Sequence, residues 1–235
     1  MLKPSALSLI AALLTTTAYA GDPLTDAIQS AYAPYRVALF KTNSKSQTES
    51  RDAVLQARTK WAELTVRYAA QPPMPYANDT RFKEDCVKVD AVYAKAAGEI
   101  ERGELAPAHE TLEEVRDILA DLRRRNGIVV FSDHMNAYHS EMEHLFDNGK
   151  KLLAEDKGAL RLMARVGSLT YLAQRMKREA PANLQANAEF VSLNQAVVDS
   201  VAELEKAVLS GAEPAIHAAI GGLKKPYGRM FLKFG

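Results

Sequence analysis

One cysteine, Cys86, is all that the 235 residues contain. A lone cysteine excludes an internal disulfide, a CxxCH haem attachment and any four-cysteine zinc or iron–sulfur site. Excess charge is missing as well. Thirty Lys and Arg face 29 Asp and Glu, and Lys3 is the only charge among residues 1–20, so residues 21–235 are formally neutral. A nucleic-acid binder usually presents a basic surface, and a neutral chain has no overall field to steer one. Past residue 20 no apolar run approaches the 20 or so residues that span a bilayer. Strand-like alternation is absent. So are GxSxG, the P-loop, HExxH and the dinucleotide fingerprint, which leaves enzymatic hydrolysis without a local motif.

What is present begins with a leader. Lys3 gives a positive start, Ser5–Leu14 an apolar stretch and Ala18-Tyr19-Ala20 a small-x-small cleavage site, the pattern of a secretory signal peptide over residues 1–20. Gly21, not cysteine, follows the cut, so lipid attachment is not expected. The expected address is the periplasm.

The rest reads as helix, with breaks about every 20 to 28 residues. Eight helices are predicted: 23–42, 49–70, 80–102, 106–125, one that starts after Ser132 or Asp133 and runs to Gly149, 157–179, 187–210 and 213–233. Gly221-Gly222 and Pro226 are expected to bend the last. The order of breaks repeats, since QPPMPYAN and APANLQAN occupy corresponding places. At an offset of 108, Val89 falls on Val197, Ala94 on Ala202, Gly103 on Gly211 and His109 on His217. The expectation is an all-α chain of tandem antiparallel four-helix bundles, 21–127 and 128–235, with a single larger helical array as the alternative.

Three of the five histidines fall in DHMNAYHSEMEH, residues 133–144. At 100° per residue, Phe131, Met135, Tyr138, Met142, Leu145, Phe146 and Leu153 share one face, the predicted buried stripe. Met135, His139 and Met142 stand at i, i+4, i+7 beside it, and His134 lies on the opposite flank. Thioether with imidazole suits copper(I) or an axial position on haem iron. A neighbouring helix must complete such a site. His109 becomes a donor if helices four and five form a hairpin turning near Gly127. Met135, His139, Met142, His134 and His109 are therefore the candidate metal ligands, with copper the favoured ion. The plain alternative is that methionines at helical spacing fill the core and a flanking histidine hydrogen-bonds to a neighbour.

Glu141-x-x-His144 has the spacing of di-iron bundle proteins, but no second Glu-x-x-His accompanies it and His144 is expected to face solvent. His217 pairs most simply with Glu213 at i, i+4. Cys86 shares a stripe with Phe82, Val89, Tyr93 and Ala96 and reads as a small buried hydrophobe.

Asn136-Ala137-Tyr138-His139 resembles the haem-ligating segment of the cytochrome b562 family, exported four-helix bundles with non-covalent haem. The resemblance implies His139 as an axial ligand of a b-type haem and an electron-carrier role. That family takes its second ligand from a methionine on the first helix, where this chain has none. A third expectation is a cofactor-free interaction module for a periplasmic or membrane protein. It would use a bundle face or the aromatic tail PYGRMFLKFG, although Met230 and Phe231 continue the last helix into the core.

Overall fold

The computed structural model describes residues 22–44 and 46–235. The expected leader lies outside these residues. The described chain is all-α. Its helices are α1 (Pro23–Asn43), α2 (Gln47–Tyr68), α3 (Phe82–Glu101), α4 (Leu105–Arg125), α5 (Phe131–Leu153), α6 (Gly158–Glu179), a single turn α7 (Ala182–Gln185), α8 (Ala188–Ser210), α9 (Glu213–Gly222) and α10 (Lys224–Phe234). None is long and apolar enough to cross a membrane.

Local chemistry accounts for the boundaries. Asp22 accepts the Thr25 N–H at 2.8 Å and Pro23 opens the first turn of α1. Asn187 accepts the Phe190 N–H at 3.0 Å to start α8. Gly103 and Gly211 end α3 and α8 with φ near +70°, a conformation glycine reaches without strain. Pro226 cannot donate to the Gly222 carbonyl, and the last predicted helix, expected only to bend there, is divided in two at Leu223. The entry to α5 differs from expectation. The helix starts at Phe131, so Asp133 is its third residue rather than its cap, and Asp133 Oδ2 accepts the Val130 N–H at 3.0 Å.

Contacts repeat between the halves. In the first, α1 packs on α2, α2 on α3, α3 on α4 and α4 back on α1. In the second, α5 packs on α6, α6 on α8, α8 on α9 and α10, and both of these return to α5. Each of the longer helices buries one stripe, as in Leu24, Ile28, Tyr32, Tyr35 and Leu39 of α1. The stripes of both halves join into one connected core.

The halves meet along α1, α4, α5 and α10. Tyr32 packs edge-on against Phe231 with centroids 6.4 Å apart, and Arg36 Nη1 donates to the Phe231 carbonyl at 3.3 Å. Arg123, at the end of α4 and only 1 % exposed, donates from Nε to both carboxylate oxygens of Asp133 at 3.0 and 3.1 Å. Arg125 binds Asp79, Asp85 and Asp121, tying the loop before α3 to the end of α4. The hairpin of α4 and α5 on which the His109 reading depended does not form: α4 packs on α3 and α1, and α5 on α6, α9 and α10.

Candidate functional site

Where α4 and α5 stand apart, a narrow pocket of about 90 Å³ opens. His109, Glu113 and Arg116 reach it from α4. His139, Met142 and Glu143 reach it from α5. Lys224, Tyr227 and Phe231 close it from α10, and Leu39 forms part of the α1 wall.

Glu113 is the centre of the arrangement. Its Oε1 lies 3.3 Å from His139 Nε2 and 3.7 Å from His109 Nε2, and its Oε2 lies 3.3 Å from Arg116 Nη2. Burial opposes ionisation of Glu113, but the neighbouring His139 and the Arg116 guanidinium outweigh it and hold the carboxyl well below the usual carboxylate range. The charged carboxylate is therefore the favoured form.

The two histidines are held differently. His109 Nδ1 is 3.1 Å from both the Leu39 carbonyl and Thr42 Oγ1. A carbonyl only accepts, so Nδ1 carries a proton, and in the neutral ring Nε2 is the lone-pair nitrogen that faces Glu113. Burial holds the His109 imidazole below its usual pKa and favours that neutral form. His139 is 9 % exposed, and neither of its ring nitrogens has a hydrogen-bond partner. Its approach to Glu113 is close but not aligned as a hydrogen bond. The Tyr227 ring stacks on it at 5.3 Å, and Tyr227 Oη donates to the Met135 carbonyl at 3.3 Å. An orphaned buried imidazole is costly, so it calls for an explanation.

The sequence-predicted ligands separate. His139, Met142 and His109 line the pocket together. Met135 is fully buried and does not line it: seven residues of helix put it about 10 Å from Met142 along the axis. His134 faces a different cleft, with Phe131, Glu179 and Pro181. Phe146, expected in the buried stripe, is 47 % exposed, and Lys224 Nζ sits 4.1 Å over its ring. Glu143 is half-buried and lines the pocket.

Glu113, Arg116 and Lys224 do not stand out in the sequence. One signal could have found the first. His-x-x-x-Glu occurs as His109/Glu113 and again as His139/Glu143, and i, i+4 spacing puts each pair on one helix face. Elsewhere, His217 lies 3.4 Å from Glu213, as the plain reading expected. Cys86 is buried, its thiol is pushed up to about 11 by burial, and its carbonyl accepts the Trp61 indole N–H at 3.0 Å. Tyr227, Met230 and Phe231 of the tail are buried.

Among the described residues no group of three or more His, Cys, Asp or Glu side chains is placed to hold a metal ion. The pocket instead holds two His–Glu pairs that share Glu113. Comparison with family models, curated proteins and solved structures finds no match to this chain.

Proposed function

We propose that the chain binds a single first-row transition-metal ion, copper first, in the pocket between α4, α5 and α10, and serves in its sequestration or delivery. The observation that carries this reading is His139, a buried imidazole with no hydrogen bond to either ring nitrogen, whose Nε2 lies 3.3 Å from the Glu113 carboxylate. Two ligands at the ~2.0–2.1 Å bond lengths of a tetrahedral ion stand ~3.3 Å apart. The Glu113–His139 separation is 3.3 Å, and His109 is a few tenths further from the same oxygen. No hydrogen bond holds the His139 ring, so a small rotation can complete the set. The bond from His109 Nδ1 to the Leu39 carbonyl is the kind of support that fixes a metal-binding tautomer.

Copper is favoured by the mixture of donors. Two imidazoles and a carboxylate suit copper(II), and imidazole with the Met142 thioether suits copper(I). Pocket size favours an ion over a haem. About 90 Å³ is well below the roughly 300–1,000 Å³ of sites that hold drug-sized ligands.

The test is titration of the purified chain with copper(II) in air and copper(I) under argon, using competing chelators, with elemental analysis of the dialysed product. One equivalent is expected. His139→Ala and Glu113→Gln should each weaken binding about 10- to 100-fold or more, the usual scale for ligands and their supports. Unchanged affinity in His139→Ala, with wild-type folding by circular dichroism, overturns the assignment.

A further inference from the structure

The pocket holds two carboxylates, and each has its own cation. Glu113 is matched by Arg116 at 3.3 Å and Glu143 by Lys224 at 3.5 Å. These cations are not equivalent. The Arg116 side chain is 12 % exposed and sits among buried tyrosines, while the Lys224 side chain is 41 % exposed, on a flexible stem, in a long single-contact pair. Arg116 is fixed in the wall. Lys224 can swing into water at little cost, because a half-exposed ion pair is worth little and the ammonium is readily hydrated.

Its position makes that mobility matter. Lys224 is the first residue of α10, just after the break at Leu223. Its ammonium lies 3.5 Å from the Glu143 carboxylate and 4.1 Å from the centre of the Phe146 ring, and Lys224 lines the pocket with His109. A bound cation entering beside Glu113 would meet a second carboxylate one residue from Met142, already screened by this lysine.

We propose that Lys224 is a tethered counter-cation that competes with the metal for Glu143, so that Glu143 joins the donor set only when Lys224 swings out. The inference rests on the metal reading above and adds the second His-x-x-x-Glu pair to it. Lys224 then sets the affinity threshold of the site. With Lys224 in place, both carboxylates are paired without a metal. With the metal in place, the ion replaces the ammonium and frees the start of α10.

The test uses the full chain and copper(II) or zinc(II) alone as probe. Lys224→Met keeps the stem and removes the charge. It should bind the ion about three- to tenfold more tightly than wild type, the scale of a partly exposed charge interaction. Glu143→Gln should bind more weakly by a similar factor. The advantage of Lys224→Met should shrink between 0.05 and 0.5 M salt (~13 and ~4 Å screening lengths), because salt screens the repulsion between ammonium and ion. A purely structural lysine would not show that salt dependence. If wild type binds the ion and both variants match it at every salt concentration, the counter-cation is overturned while the metal site stands. If wild type binds neither ion, both are overturned.

Discussion

Gly158 and Gly221 show how differently two glycines can be constrained. A Cβ at Gly158 would collide with the carbonyl oxygens of Leu152 and Leu153, which are backbone and cannot move aside. Gly221 has open space where a Cβ would go and lies inside α9. Gly158→Ala should therefore destabilise by about 1–3 kcal/mol, the usual cost of overpacking. Gly221→Ala should stabilise by up to about 1 kcal/mol through helix propensity. Urea midpoints of the two variants should move in opposite directions. Arg123 presents a larger stake. Its buried guanidinium is neutralised by Asp133, so Asp133→Asn leaves an unpaired charge in the core and should cost about 3–5 kcal/mol by urea denaturation. Arg123→Met, which leaves only the 22 %-exposed Asp133 side chain behind, should cost less. The same contrast governs what was legible in the site. His139 and Met142 could be placed from helical spacing because their positions depend on one helix. Glu113, Arg116 and Lys224 become neighbours of His139 only when α4 and α10 arrive from distant sequence, and periodicity within α5 carries no trace of that.

At the scale of elements, helix identity was readable where a break has a chemical cause within a few residues, as at Asp22-Pro23, Asn187, Gly103, Gly211 and Pro226. Packing between elements was not. The turn near Gly127 invited a hairpin of α4 and α5, yet α4 returns to α1 and α5 packs on α6. The α5–α6 contact carries a pH-dependent consequence. Burial, with Arg175 of α6 next, holds the His134 imidazole below its ordinary pKa, so the folded state favours the neutral ring. The unfolded chain then binds more protons than the folded one at pH values below about 6.5, and stability must fall as pH drops through that region. His109 shifts in the same direction. Urea midpoints of the metal-free protein should be lower at pH 5 than at pH 7.5. His134→Gln should lose less over that interval than wild type, and an identical loss would remove His134 from the explanation.

For the whole molecule, the question is whether the two halves unfold as one. Each has its own ring of helix contacts, but Tyr32, Phe231, Tyr227 and Tyr138 make a continuous aromatic path from α1 through α10 to α5. The buried Arg123–Asp133 pair and the pocket cross the same boundary. A shared core of this kind should give one cooperative transition. Trp61 is the only tryptophan and lies in α2, so its fluorescence reports the first half alone, while far-ultraviolet circular dichroism averages over both. The two signals should give coincident urea curves for wild type. Removing residues 226–235 is a poor probe of this or of a docking role, because it takes Tyr227, Met230 and Phe231 out of the core. Phe231→Ala is sharper. It deletes the ring that meets both Tyr32 and Tyr227 and should cost about 3–5 kcal/mol. Because that loss falls on the contact between halves, the dichroism curve should separate from the fluorescence curve, with the second half melting first. Curves that shift together in Phe231→Ala would mean that the remaining contacts, Arg123–Asp133 foremost, are enough to keep the chain a single cooperative unit.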